Sequence, residues 1–295
     1  MSAVTEAALA TDYASGALSK DTPEEFERLQ LLQEWGDPDT RTVLRGLGLG
    51  RDWQCLEIGA GAGSVARWTA DQCPDGSVLA VDMDTRYLAD TDRANLEWRT
   101  GDIRELAFAP GSFDLVHSRF TFCHLPEREE LVAKAVEWLK PGGRLALGEP
   151  LLMPAAGSVH EPVRRFFGAL ETGWAAQGSD MHRWAQTLPS QLARAGLRDV
   201  EVLTRANSLG ERGPYGALAA ANIRQEGAYL VSTGLLTQDD VDAVLDLCAD
   251  PGFTDLRSIT VYAWGRKPAG PEGGFRKPAG PEGGSRKPAG PVGGS

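Results

Sequence analysis

One stretch constrains this chain more than any other. Trp53–Ile58 (WQCLEI) is a short apolar run that ends in Gly59-Ala60-Gly61-Ala62-Gly63, and a helical pattern follows over Ala62–Gln72. A continuous apolar run broken by glycines is how a buried parallel strand meets a turn. Glycines let the backbone take positive φ and approach a ligand closely, while the free N–H groups of the following helix face a polar group. A second apolar run, Ser77–Val81, stops at Asp82, nineteen residues beyond Gly63. A carboxylate at that strand end can accept hydrogen bonds from two ribose hydroxyls. Loop and acid together point to a ligand that contains adenosine.

The alternation continues. Leu96–Arg99 is a weaker third strand followed by Gly101-Asp102, and Phe113–His117 is a fourth. Glu127–Leu139 reads as a helix with Leu131, Ala135, Val136 and Leu139 on one face, stopped by Pro141-Gly142-Gly143. Arg144–Glu149 is a fifth strand, ended by Pro150. Such alternation predicts an α/β fold, a doubly wound and mostly parallel sheet with helices on both faces. On the flanks, residues 22–47 read as a helix opened by Thr22-Pro23-Glu24-Glu25. Residues 159–187 read as a helical stretch rich in aromatics, Leu188–Ala195 as a short helix, Val200–Leu203 as a strand, 215–248 as further helices and Ile259–Trp264 as the last strand. The expected division is an N-terminal helical cap (1–50), an α/β core (51–150), acceptor-binding helices with the last strands (151–265) and a tail (266–295).

The tail repeats RKPAGPEGGF-type decapeptides three times and holds 9 Gly and 6 Pro in 30 residues. Such a composition cannot bury enough surface to offset ordering, so the tail is expected to be disordered. Its charge is +4, which leaves −15 of the overall −11 on residues 1–265. An acidic body without a Lys/Arg run is a poor match for nucleic acid or an anionic membrane. No stretch approaches the ~20 apolar residues of a membrane span, and the N-terminus lacks a basic region followed by an apolar one. Cys55, Cys73, Cys123 and Cys248 are scattered without a C-x-x-C pair, which predicts reduced thiols, no metal site and a cytoplasmic location.

The dinucleotide fingerprint G-x-G-x-x-G is not met, because Ser64 stands at its third glycine and Gly63 comes one residue early. The first strand also ends in an acid, Glu57. An acid there repels a pyrophosphate and suits a cationic amino-acid sulfonium, so electrostatics favours S-adenosylmethionine over a nicotinamide dinucleotide. At these motifs the chain resembles the class I S-adenosylmethionine-dependent methyltransferases: CLEIGAGAGS (55–64), VDMD (81–84), GDI (101–103), FDLVHSR (113–119) and LKPGGRLALGEP (139–150) follow in the family's order. The flanking YASGALSKDTPEEFERLQLL and LLTQDDVDAVLDLCADPGFTDLRSITVYAWGRKP resemble small-molecule methyltransferases of actinomycete natural-product pathways. The resemblance implies a seven-stranded Rossmann-like sheet with helical lid additions and S-adenosylmethionine as cofactor. It also implies roles: Gly59, Ala60 and Gly61 against methionine and ribose, Asp82 on the ribose hydroxyls, Met83 and Ile103 on the adenine ring and Asp102 on its amino group. Glu57 would act on the methionine ammonium, with His117 and Ser118 beside the methionine end.

The expected chemistry is transfer of a methyl group to a small, aromatic or heteroaromatic acceptor, an indole-type metabolite being one concrete case. Candidates for acid–base or acceptor-binding work are Tyr13, His117, Arg119, Glu149 and His160; His124 and His182 also suit packing roles. Phe120, Phe166 and Trp174 are expected to line the acceptor pocket. No aromatic-Pro-Pro-Tyr-like motif follows the fourth strand, where the sequence is SRFTFCHL. Two other readings stay open: a nicotinamide-dependent oxidoreductase and a non-catalytic binding protein on the same scaffold. The expected assembly is a monomer or homodimer.

Overall fold

The computed structural model describes residues 16–88 and 93–270. Expectations for Tyr13 and for the tail beyond residue 270 lie outside the described residues. Among the described residues, one sheet holds β1 (Gln54–Ile58), β2 (Ser77–Asp82), β3 (Leu96–Thr100), β4 (Phe113–Arg119), β5 (Leu139–Leu152), β6 (Arg198–Leu209) and β7 (Asp255–Arg266). Their order is β3-β2-β1-β4-β5-β7-β6. Strands β1 to β5 pair in parallel, and β7 runs antiparallel to both β5 and β6. The helices are α1 (Glu25–Gly46), α2 (Ser64–Gln72), α3 (Arg128–Trp138), α4 (Glu161–Ala176), α5 (Trp184–Arg194), α6 (Pro214–Ser232) and α7 (Gln238–Ala249). The doubly wound, mostly parallel seven-stranded architecture is therefore present.

Successive strand residues point to opposite faces, which sorts β1 into two layers. Leu56 and Ile58 pack with Leu131 of α3 and with Leu188 and Leu192 of α5. Cys55 packs on the other face with Leu44 of α1 and with Val65 and Trp68 of α2. A third core, built from α4, α6 and α7, joins Phe166, Ile223 and Val244. Fully buried Leu44 marks how much one such contact carries: truncating a residue of this kind to Ala costs about 2–5 kcal/mol. β5 runs through residue 150, and the residues beyond it contribute both the third core and two strands of the common sheet.

Three boundaries differ from the sequence pattern, each for a physical reason. The helical stretch 159–187 is broken at residues 177–183, where Gly178 takes a φ of 75° and Asp180 accepts the backbone N–H groups of His182 (3.0 Å) and Arg183 (2.7 Å). The following helix thus begins at Trp184, four residues before the expected start. β6 is longer than Val200–Leu203 because it is an edge strand, where exposed Arg198, Asp199 and Glu201 replace an apolar pattern and discourage further pairing. β7 begins at Asp255 rather than Ile259, and its polar first turn, including Arg257 and Ser258, faces an internal cavity. Among the described residues no helix is long and apolar enough to cross a membrane.

Candidate functional site

The order of the sheet reverses between β1 and β4, so their carboxyl ends open a crevice. The glycine loop lies there. Gly59, Gly61 and Gly63 have φ of 74°, 59° and 80°, the left-handed region. A Cβ on Gly59 would lie 2.0 Å from Thr121 Oγ1, so no larger residue fits between the loop and the turn after β4. Gly61 needs glycine for its φ and leaves its backbone open to the cavity, with Leu29 as the nearest neighbour a Cβ would meet at 3.7 Å. The Gly59 and Ala60 N–H groups donate to Val81 O at 2.8 and 3.1 Å, which ties the loop to β2.

Asp82 closes β2 beside this loop. Its Oδ2 accepts the Gly61 N–H at 2.8 Å, and its Oδ1 accepts the Asp84 N–H at 3.0 Å. Lys20, from the segment before α1, adds a third bond: Nζ donates to Asp82 Oδ1 at 3.0 Å, to Gly61 O at 3.1 Å and to Asp84 O. The segment is held on its other side by Tyr87 and Arg86, which both donate to Lys20 O at 3.1 Å. At the next strand end Arg104 grips the Asp102 carboxylate at 2.6 and 2.9 Å and holds it below the usual carboxylate range. Ile103 is buried and Met83 stands half exposed on the rim.

Glu57 and His117 are cross-strand neighbours on the face toward α1. Arg119, two residues beyond His117, points the same way and reaches Asp37 Oδ1 at 2.9 Å and Thr40 Oγ1 at 2.8 Å. Gly36 makes room for it, since a Cβ there would meet Arg119 Nη1 at 2.9 Å. Glu57 is buried, its Oε2 has no hydrogen-bond partner, and burial pushes its pKa up to about 8; Arg119 opposes the rise while Asp37 and Asp82 add to it. His117 is driven down to about 3 by burial and by Arg119, and neither ring nitrogen has a partner, so it is neutral.

One continuous cavity of about 750 Å³ joins these groups to the third core. Of the residues singled out in the sequence, Glu57, Gly59, Ala60, Gly61, Asp82, Met83, Asp102, Ile103, Arg119, Phe120 and Trp174 line it. His124 lines it too, whereas His117, Ser118, Glu149, His160 and Phe166 do not. Ser118 donates to Ile58 O at 2.8 Å. Glu149 accepts the backbone N–H groups of Phe122 (3.2 Å) and Cys123 (2.9 Å), so it braces the turn after β4; burial lifts it to about 7 against those bonds. His117 is screened within the sheet layer, His160 precedes α4 with its ring 4.9 Å from that of Phe253, and Phe166 is in the third core. The neighbour Phe167 takes the cavity-facing place, with the Arg257 guanidinium 4.2 Å from its ring centre.

Several lining residues went unnoticed in the sequence. Trp35 of α1 stacks on Phe120 (5.9 Å, 12°) and tilts against Tyr215 (5.2 Å). Phe120 has a φ of 55°, a strained conformation for a bulky residue at a ligand-facing turn. Arg28, Asn222 and Glu226 bring charge and polarity to the far wall. Polar residues on otherwise apolar helix faces were the signal that could have found the last three. His124 also lines the cavity, and burial with the charges of Arg28 and Arg128 lowers it to about 3.

These features fit S-adenosylmethionine. An orphaned buried acid oxygen on Glu57 suits a cation, no side chain but that of Leu29 stands near the Cα of Gly61, and Asp82 and Asp102 lie at the ends of adjacent strands. A family model described as a methyltransferase domain matches residues 56–147. Methyltransferase str3 of Strobilurus tenacellus is 36% identical over 129 residues, which cover 43% of this chain and 46% of that protein. The chain spans about half the length of the relatives it matches first, 46% and 58%. Among solved structures, Haemonchus contortus phosphoethanolamine N-methyltransferase 2, in complex with phosphomonomethylethanolamine and S-adenosylhomocysteine, has a TM-score of 0.50 at 19% identity; the match covers 90% of this chain and 56% of that one. The cyclase SpnF matches with a TM-score of 0.50 at 18% identity, covering 81% of this chain and 84% of that one, so the fold alone does not dictate a reaction. Similar proteins come from fungi, bacteria, plants and archaea, a wider range than actinomycete enzymes alone. Sheet order, glycine loop and the match over residues 56–147 liken the α/β core of this chain to a methyltransferase domain.

Proposed function

We propose that this protein transfers a methyl group from S-adenosylmethionine to a small aromatic or heteroaromatic acceptor. The observation that carries the reading is the single cavity, which runs from the glycine loop and Asp82 to an aromatic wall of Trp35, Phe120 and Tyr215. When bound, the cofactor supplies an electrophilic methyl on a sulfonium. In this proposal Gly59, Ala60 and Gly61 border its methionine and ribose, Asp82 holds the ribose hydroxyls and Asp102, Ile103 and Met83 surround the adenine. Glu57 faces the ammonium, and His117 and Ser118 support that end from within the sheet.

In-line displacement requires acceptor, methyl and sulfur to be collinear, so the chain's main task is alignment in a dry space. Phe120 and Trp35 present parallel rings on which a flat acceptor can lie. Arg119 is locked by Asp37 and Thr40 and acts by keeping the wall rigid, while the neutral His117 keeps a second positive charge away from the sulfonium. An indole-type acceptor is the concrete case for this wall, and a cytoplasmic monomer or homodimer is the proposed setting.

Calorimetry with S-adenosylhomocysteine tests the cofactor half: micromolar binding is expected, and Asp82→Ala should weaken it, because the change releases the Gly61 N–H as well as leaving the ribose hydroxyls without their acceptor. Absence of binding at high micromolar concentration, together with uptake of a nicotinamide dinucleotide, would establish the oxidoreductase instead. A labelled-methyl assay over phenols, indoles and amines tests the transfer. Binding without transfer to any of them would support the non-catalytic reading.

A further inference from the structure

Glu226 stands on the cavity side of α6 with only 6% of its surface exposed. Asn222, one turn earlier, shares that side of the helix. Arg28 of α1 reaches across to Asn222 Oδ1 at 3.2 Å. Its fork is turned to Glu25 of its own helix, Nε to Oε2 at 2.7 Å and Nη2 to Oε1 at 2.8 Å. Gln225 adds a further bond to Glu25 Oε2 at 2.6 Å. The donors of this corner are thus engaged with Glu25, Asn222 and Ala17 O, and no described residue donates a hydrogen bond to the Glu226 carboxyl.

A buried carboxyl without a partner costs stability, and an apolar residue of similar volume in its place is neutral or better. Burial also raises the Glu226 pKa to about 8, with Arg28 opposing the rise and Glu25 adding to it. Among the described residues Arg28 offsets the cost through its charge alone, without a hydrogen bond to the carboxyl. A ligand in the cavity can supply one, because Glu226 faces the same space as the aromatic wall of Trp35, Phe120 and Tyr215 and, among the described residues, its carboxyl is the polar group of α6 that takes no hydrogen bond there.

We propose that Glu226, with Asn222 beside it, anchors the acceptor by receiving an O–H or N–H donor from a ring compound lying along Trp35 and Phe120. This inference rests on the methyl-transfer reading and narrows its substrate class to donor-bearing rings, phenols and aromatic or indole-type amines. A carboxylate-bearing ring is disfavoured, since it brings no donor to Glu226 and would have to enter a corner that already holds the Glu25 carboxylate. Glu226 binds the acceptor's polar end in this arrangement.

The test uses the full chain saturated with S-adenosylhomocysteine and titrated by calorimetry with matched pairs: hydroxy- or amino-substituted benzenes and indoles, and the same rings carrying methoxy or carboxylate groups. The wild type is expected to bind a donor-bearing member at least about tenfold tighter than its blocked twin. Glu226→Leu should erase that discrimination, keep S-adenosylhomocysteine affinity within about twofold and raise the melting temperature. Glu226→Gln, which keeps a carbonyl acceptor, should retain part of the discrimination. A lower melting temperature for Glu226→Leu would mark a structural carboxyl and overturn the proposal. So would discrimination surviving in that variant, or a wild type that binds no member of the panel preferentially. Failure of the wild type to bind S-adenosylhomocysteine overturns the methyl-transfer reading and this one with it, whereas normal cofactor binding with indifferent ring binding overturns this one alone.

Discussion

Lys20 offers the sharpest perturbation of the cofactor site. An ionised carboxylate has about four acceptor positions, and at Asp82 three are filled: by Gly61 N–H, by Asp84 N–H and by the Lys20 ammonium. A ribose diol brings two more donors, one more than there is room for. The two backbone donors are fixed by the loop and the strand end, so Lys20 is the partner that leaves. Its side chain is 10% exposed and that of Asp82 14%, so the pair is only slightly screened by solvent. Giving up a hydrogen bond between charged groups costs about 1.5–3 kcal/mol, part of it returned when the ammonium is rehydrated. Lys20→Met keeps an unbranched apolar side chain and removes the competitor, together with the ammonium that stands 5.4 Å from the Tyr87 ring centre. At about 1.4 kcal/mol per factor of ten, S-adenosylhomocysteine should then bind roughly 10- to 100-fold tighter, measured by calorimetry at fixed pH and salt. Unchanged or weaker binding would refute the competition and make Lys20 a bystander or a direct contact of the bound ligand.

Three further outcomes are expected. Gly59→Ala places a Cβ 2.0 Å from Thr121 Oγ1 at a φ of 74°, so the melting temperature should drop and S-adenosylhomocysteine affinity fall at least about tenfold; left-handed strain alone costs about 1–2 kcal/mol. Glu57, Glu149 and Glu226 are raised from 4.5 to about 8, 7 and 8, so between these values the folded chain holds protons that the unfolded chain has lost, and each lowers stability as pH rises. His117 and His124, lowered from 6.5 to about 3, work oppositely below pH 6.5 and are flat above it, so scanning calorimetry should show stability falling from pH 6.5 to 8, by up to about 1.4 kcal/mol per unit for each acid. Truncation after Pro268 should leave the melting temperature unchanged, because the backbone pairing closes at Lys267 with Gly142 (2.9 Å) and Gly143 (2.8 Å).

The readable part of the site was its local part. The glycine loop and Asp82 are each dictated by neighbours in the chain: a strand must end, a tight turn needs positive φ, and the next strand ends one layer away. Strand ends also gave the depth of His117, Ser118, Arg119 and Glu149. Depth is not side, however, because alternation sends Arg119 to the cavity and Ser118 to the opposite face. Phe166 and Phe167 pose the same problem on a helix, where rotation about the axis is decided by what packs against it. Lys20 and Glu226 were silent, because the features that mark them are a partner 62 residues away and a place on the cavity wall without a hydrogen bond from any described residue.

The three acids given to the cofactor therefore differ in what binding does to them. Asp82 already has Lys20 and Asp102 already has Arg104, so ligand contacts there exchange one set of bonds for another, and such exchanges leave little net free energy. Glu57 exchanges nothing. Its Oε2 is buried without a partner, and a ligand ammonium turns a desolvated group into one half of an ion pair. With the roles proposed for these residues, net affinity concentrates at Glu57 while Asp82 and Asp102 confer selectivity for the adenosine end. Glu57→Gln should accordingly lower affinity for S-adenosylhomocysteine more than for adenosine, which lacks the ammonium. Equal losses for both ligands would place the ammonium elsewhere. The result separates an acid that pays for binding from acids that only sort ligands.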